Sequence, residues 1–389
     1  MSRSESTAPA STVGHVPAGL SMATVSAALV LAVAMGFGRF AFTAIYPLMV
    51  RDHVLSVTAG SLAASANYAG YLAGALLASR VPETRAAQLC RLALAGTVVA
   101  MLALAIPMPP SAIIAIRFVA GVLSAFSMVS ASVWLFGVMG SSRGAPLLFA
   151  GVGAGITVSA ELIARGNVAG LSSGGMWILL AVAAALPMVL AWPVLGRFLP
   201  SPVATPGSGH GEVSGLPQPW TLTMAYGLAG FGYIITATYL PLFVRDAFGS
   251  VDPVHVWAVF GLCAAPSCYL WHVVQKRVGT KRALAFNLMV QAFGVILPVL
   301  LPSRAGYLGS ALLVGGTFMG TVTIVMSAAK HLAPRVRHNL VAVLTAAYGI
   351  GQIAGPIAAS VLVRPGHAFA APLAAATASL VAATVASVL

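Results

Sequence analysis

Apolar residues along this chain gather into runs of roughly 20, long enough at ~1.5 Å per residue to cross a ~30 Å hydrocarbon layer as helices. Short clusters of Pro, Gly and Arg separate the runs, and the ~10-residue alternating segments that build a membrane β-barrel do not occur. The pattern predicts six spans, at 20–49, 56–79, 86–106, 111–139, 144–165 and 174–198. Six more follow at 219–243, 253–275, 282–301, 305–330, 338–363 and 367–388. Between the two sets, 199–218 carries prolines at 200, 202, 206 and 217 and glycines at 207, 209, 211 and 215, the composition of a tether. Residues 1–19 are rich in Ser, Thr, Pro and Ala and read as a disordered tail. The apolar run after them is too long for a signal-peptide core, so it stays as span 1.

The chain repeats itself at half its length. Residues 35–52, MGFGRFAFTAIYPLMVRD, align without gaps with 229–246, AGFGYIITATYLPLFVRD, at an offset of 194 with eight of 18 positions identical. Gly121 faces Gly315 at the same offset, and Gly151-Val152-Gly153 faces Gly349-Ile350-Gly351 at 198. Six spans used twice give both halves the same orientation, a parallel repeat about an axis along the membrane normal. The expected fold is therefore an all-α polytopic membrane protein of twelve transmembrane helices in two parallel six-helix bundles. They occupy 20–198 and 219–389, joined by the linker 199–218 and preceded by the tail 1–19.

Composition sharpens this. Only 7% of the 389 residues are charged and 59% are apolar, against about 25% charged in a soluble domain, so the chain needs the lipid bilayer as its solvent. The net charge of +13 lies in short loops without a basic stripe or stacking aromatics, so no nucleic-acid partner is expected. With the N-terminus inside, the inner side collects Arg3, Arg80, Arg85, Arg91, Arg143, Arg197, Lys276, Arg277, Lys281, Arg282, Lys330, Arg335 and Arg337; the outer side collects Arg51, Arg165, Arg245, Arg304 and Arg364. That bias puts both termini and the tether in the cytoplasm. Cys90, Cys263 and Cys268 form neither a disulfide framework nor a metal-binding spacing, and neither cofactor nor metal is expected.

Two basic residues remain inside spans, Arg39 and Arg117. A buried Arg costs about 2.5–3.5 kcal/mol on insertion scales, so it faces a bundle interior or a wet cavity. Both fall roughly 9–14 Å below the outer surface, where they either share a substrate cavity or donate to carbonyls and hydroxyls of neighbouring helices. Glu161 is the acid within a span. It reads either as a coupling-proton site or as the partner of Arg165, four residues on. Asn67 with Tyr71, Thr317 with Thr321 and Tyr348 with Gln352 pair at i, i+4 on one helix face, and Tyr233 holds the repeat position of Arg39. Candidate substrate contacts are thus Arg39, Arg117, Asn67, Tyr71, Tyr233, Thr317 and Gln352. Each polar one also suits an interhelical hydrogen bond.

Two parallel six-span halves on an inside tether resemble the major facilitator superfamily. The strings GFGRF and Pro47-Leu48-Met49 in span 1, NYAGYLAG at 67–74, GGTFMG at 315–320 and GQIAGP at 351–356 resemble its bacterial YbfB/YjiJ-type branch. The superfamily loop motif survives in part: KRVGTKR at 276–282 keeps R-x-G-x-K with Lys276 in place of Asp, and GALLASRVPETR at 74–85 has no Asp. Arg117-x-x-x-Gly121-x-x-x-Ala125 is similar to the span 4 pattern whose Arg is associated with coupling. The resemblance implies a monomeric secondary transporter in the bacterial inner membrane, with spans 2, 5, 8 and 11 as the moving interface. It would carry a small-molecule substrate with a coupling proton or ion. Small residues at Gly70/Gly74, Gly151/Gly155 and Gly351/Gly355 are expected to pack that interface.

With two arginines in the outer half of the first bundle, the expected substrate is a small organic anion; efflux of neutral or amphipathic compounds is the alternative. No GxxxxGK[ST] occurs, so transport would draw on a gradient. The absence of paired carboxylates, HExxH and GxSxG disfavours an embedded enzyme, and short loops disfavour a sensor.

Overall fold

The computed structural model describes residues 18–78, 80–141, 144–197, 216–244, 252–332, 336, 340–363 and 369–389. The tail over 1–17 and most of the expected tether lie outside them.

Twelve long helices fill the described chain. Span 1 runs from Ala18 to Arg51 in three pieces, α-helical over Ala18–Leu31, π-helical over Ala32–Phe40 and α-helical again over Ala41–Arg51. Spans 2 to 6 are Val57–Ala78, Ala86–Leu104, Pro110–Val133 with a π-helical turn at Trp134–Val138, Ala145–Val168 and Ser173–Arg197. Spans 7 to 12 are Pro219–Phe243, Val254–Val278, Thr280–Leu300, Arg304–Leu332, Leu340–Leu362 and Ala370–Val388. Local chemistry marks the boundaries. Pro110 and Pro219 open spans 4 and 7, where a first-turn residue needs no N–H. Gly279, at φ 82°, turns span 8 into span 9 within one residue, a backbone state that a side chain would strain.

Ten of the twelve are long and apolar enough to cross a membrane. The other two, spans 2 and 7, carry Asn67, Tyr68 and Tyr71, and Tyr226, Tyr233 and Tyr239. All but Tyr71 of these are buried, so the polarity of both spans points inward. Large apolar side chains such as Leu92, Val99, Val182, Leu262, Phe286 and Val361 are exposed instead, as lipid-facing residues must be.

Within each half the same pairs pack: span 2 with 4 and span 1 with 5 in the first, span 8 with 10 and span 7 with 11 in the second. The repeat-related Gly121 and Gly315 do the same work. A Cβ on Gly121 would strike the Asn67 carbonyl in span 2, and one on Gly315 the Phe260 carbonyl in span 8. Between halves, span 5 packs on 8, span 2 on 11 and the end of span 1 on 7. Thr43 donates to the Ala237 carbonyl at 2.7 Å, and 237 is its own repeat position, which places that bond on the pseudo-twofold axis.

The interface spans are those the resemblance implied, but the six glycines expected there are not in the interface. Gly70 and Gly74 pack on Phe118 and Val122 of span 4, Gly151 and Gly155 on Ala28 and Ala32 of span 1, and Gly351 and Gly355 on Gly227, Phe231 and Ile234 of span 7. All are contacts within a half. The halves meet instead through Gly153 against Gly261 and Ala265, Gly261 against Ile156 and Thr157, and Gly349 against Leu72.

The hydrogen bonds joining described residues of the two halves share one side of the membrane or its middle. Besides Thr43 to Ala237, they are Ser65 to Ile353, Tyr68 with Thr238, Tyr239 to Ser61, Thr157 to Ala258, Asn167 to Asp252, His255 with Glu161, and Arg39 to Gln352. The molecule is closed at the Arg51 end.

Candidate functional site

Arg39 sits in the π-helical stretch of span 1. Because span 1 continues to Arg51, the guanidinium lies twelve residues from that end, about 18 Å deep at helical rise and nearer the membrane middle than the sequence implied. Only 3% of the residue is exposed. Its Cζ lies 4.0 Å from the centre of the Tyr71 ring and 5.1 Å from that of Tyr68. Its Nη2 donates to Gln352 Oε1 across the two halves at 3.3 Å, and its Nε has no hydrogen-bond partner. Gln352 in turn donates through Nε2 to the Tyr233 hydroxyl at 2.5 Å. Four of the seven expected contacts, Arg39, Tyr71, Tyr233 and Gln352, therefore converge from spans 1, 2, 7 and 11.

The other three do not join them as ligands. Arg117, 1% exposed, gives Nη1 to the Gly38 carbonyl at 2.9 Å and Nη2 to the Arg39 carbonyl at 3.0 Å, with Phe42 stacked 4.4 Å from its Cζ. The guanidinium end that would grip a carboxylate holds backbone instead, although its Nε also lacks a partner. Asn67 donates to the Arg117 carbonyl at 2.9 Å and belongs to the same brace. Thr317 bonds the Leu313 carbonyl of its own helix at 2.6 Å, and its carbonyl receives Asn287. Both stabilise helix packing.

Aromatic rings complete the centre, and sequence reasoning missed most of them. Tyr226, Tyr348, Tyr233, Phe318, Phe260 and Trp257 form a continuous stack with successive planes within 26° of parallel. Phe40 of span 1 joins it through Phe318 at 6.1 Å and Trp257 at 6.4 Å. A signal was present in Tyr226 and Tyr233, seven residues apart on one face of span 7.

At the Arg51 end, Glu161 pairs with His255 of span 8, Oε1 to Nδ1 at 2.9 Å, and makes no ion pair with Arg165 among the described residues. The acid turns toward the other half rather than along its own helix. The two side chains are 38% and 45% exposed, so the pair is worth about 0–1 kcal/mol. Glu161→Gln is accordingly expected to shift the closed state by less than about fivefold, read as a spin-label distance across spans 5 and 8. Beside it, Arg51 bonds Asp52 at 2.9 Å and Asn167 at 3.1 Å, and Asn167 bonds Asp252 at 2.7 Å. Burial alone would raise the Asp52 carboxyl, but the Ser173 N–H at 2.7 Å and the Arg51 guanidinium outweigh it and hold it below the ordinary range. A depressed native value stabilises above the unfolded one and is lost as pH falls through the native one. The tie from Asp52 to span 6 is thus expected to persist at neutral pH and loosen only in acid, with Asp52→Asn melting earlier at pH 7 and converging with the parent in acid.

Comparison with known proteins agrees with the fold. The family described as uncharacterised MFS-type transporter YbfB matches residues 31–388. No curated protein matches the sequence. Among solved structures, a crystal structure of a mutant of the nucleoside transporter NupG matches with a TM-score of 0.71 at 11% identity, over 94% of this chain and 98% of that one. At that identity the likeness speaks for the fold alone. The chain belongs to the YbfB-type family of major facilitator transporters: it is a membrane transporter, not an enzyme.

Proposed function

We propose that the protein is a secondary transporter of a small organic anion, working by alternating access with Arg39 as the anion anchor. The observation that carries this is a guanidinium buried at the joint between halves, with no carboxylate paired to it among the described residues and an unused Nε–H. A lone buried cation is poorly solvated and attracts a counter-charge. Gln352 supplies only a carbonyl dipole, at 3.3 Å. A carboxylate displacing it would gain the charge and untie span 1 from span 11, linking binding to the parting of the halves.

On this reading the Lys/Arg bias supports cytoplasmic termini and tether, in a monomer of the bacterial inner membrane, and the closed Arg51 end is then the outer one. A coupling proton would act at the Glu161–His255 pair, which ties span 5 to span 8 at that end. The charged groups nearest in the fold are Arg165 on span 5, Arg51 and Asp52 on span 1, and Asp252 on span 8. Reporter fusions at Ser208 that become active only when exported would overturn the orientation.

The test of the substrate class compares carboxylates with their neutral amides on purified protein, by thermal shift. Carboxylates are expected to raise the melting temperature and amides not, with the shift lost in Arg39→Gln and cut about tenfold in affinity in Arg39→Lys, which keeps the charge without the fork. Equal stabilisation by amides would favour a neutral or amphipathic solute.

A further inference from the structure

We infer that the anion is an aromatic monocarboxylate whose ring enters the aromatic stack while its carboxylate takes the side-on edge of Arg39. The inference rests on the anion reading above and narrows it.

A guanidinium can grip a carboxylate side-on through Nε–H and Nη2–H together. On Arg39, Nε is unpartnered and Nη2 is held only by the Gln352 amide oxygen at 3.3 Å, so the edge they share is open to a carboxylate once Gln352 leaves. Its flat face is covered by Tyr71 at 4.0 Å. On Arg117 both terminal nitrogens already hold the Gly38 and Arg39 carbonyls. One unpaired guanidinium balances one carboxylate, and a second anionic group would enter a ring-lined space with no further free cation to meet it.

Ring geometry then supplies the body of the ligand. Tyr348, Tyr233 and Phe318 lie with centroids 5.5 to 5.6 Å apart and planes within 11° of parallel. The Tyr233 hydroxyl is one Gln352 side chain away from Arg39. Tyr68 and Tyr71 of the first half lie against the Arg39 guanidinium, 5.1 and 4.0 Å from its Cζ. When Gln352 leaves Arg39, parting of the halves would separate the guanidinium and Tyr71 on one side from the parallel rings of the second half on the other. A flat ring entering there would stack, offset, on these rings and gain more than the area it buries. A saturated chain or puckered ring of equal size gains the area without the stacking.

The test is a thermal-shift and equilibrium-binding comparison on the full chain in detergent, using phenylacetate, cyclohexylacetate, phenylacetamide and the dianion 1,4-phenylenediacetate. Phenylacetate is expected to bind about tenfold more tightly than cyclohexylacetate, with 1,4-phenylenediacetate weaker than either. Phe318→Leu is expected to weaken phenylacetate until it binds no better than cyclohexylacetate, with both still preferred to phenylacetamide. Tyr233→Phe, which keeps the ring and removes the hydroxyl, is expected to preserve the preference even if Phe318→Leu folds poorly. Equal affinity for phenylacetate and cyclohexylacetate would overturn the aromatic inference and leave the anion reading standing. Equal affinity for phenylacetate and phenylacetamide would overturn both.

Discussion

Gly153→Leu and Gly261→Leu are expected to abolish transport while leaving the protein inserted and folded, because both side chains would grow into the contact between halves. A Cβ on Gly261 would lie 2.7 Å from the Thr157 backbone nitrogen and 2.7 Å from Ile156 Cγ2, and one on Gly153 would press into the Gly261 carbonyl and the Ala265 backbone. Backbone cannot step aside as a flexible side chain can. Overpacking of this kind costs about 1–3 kcal/mol, and because the contact joins two halves that must move against each other, the cost is expected to fall on the conformation in which it is made. A shift of roughly 5- to 150-fold toward the open state follows. Gly151→Leu and Gly155→Leu meet the Ala28 and Ala32 backbone inside a single bundle, so their cost falls on both conformations and appears as lost yield and a lower melting temperature. The measurement is transport in proteoliposomes beside a spin-label distance across spans 5 and 8. Wild-type transport in Gly153→Leu, or a change in distance in Gly151→Leu equal to that in Gly153→Leu, would remove this assignment.

The same glycines show how far the sequence could be read. The run Gly151-Val152-Gly153-Ala154-Gly155 offers two smooth faces. Positions two apart differ by about 200° around a helix, so Gly151 and Gly155 look one way and Gly153 the other. In span 11, Gly351 and Gly355 likewise face span 7 while Gly349 faces span 2. Sequence spacing identifies such faces but not which neighbour each meets, since that depends on the rotation of the helix in the bundle. The helices themselves were legible, because lipid demands apolar runs of fixed length, and each observed end falls within a few residues of the expected one. At the site, Arg39 and Arg117 were indistinguishable, since insertion cost registers a buried cation and not its partner. What separates them is the π-helical stretch Ala32–Phe40, whose carbonyls turn toward span 4. The residues of that stretch, AVAMGFGRF, carry no periodic signature of a π-helix. His255 escaped notice for a simpler reason: the Glu161 and Arg165 spacing supplied a partner along the helix, whereas the structure supplies a partner across the interface.

Arg117→Met is expected to cost both stability and binding, and to do so by releasing Arg39 rather than by removing a ligand contact. Its two charge-assisted hydrogen bonds hold the carbonyls of Gly38 and Arg39, near the end of the π-helical stretch, which returns to α-helix at Ala41. Bonds to a charged group contribute about 1.5–3 kcal/mol each, partly offset here because Met avoids the cost of burying a cation. A melting temperature lowered by several degrees is the expected reading. Without the brace the Arg39 carbonyl can rotate, and the guanidinium loses its set distance from Tyr71 and Gln352. Arg117→Lys keeps the cation but reaches one carbonyl at a time, so it should recover part of the stability and little of the affinity. Discrimination between phenylacetate and phenylacetamide separates the two roles. A brace leaves whatever binding remains in Arg117→Met still selective for the carboxylate, because Arg39 still supplies the charge. If Arg117→Met melts like the parent and loses that selectivity, Arg117 is itself the ligand and the brace assignment falls.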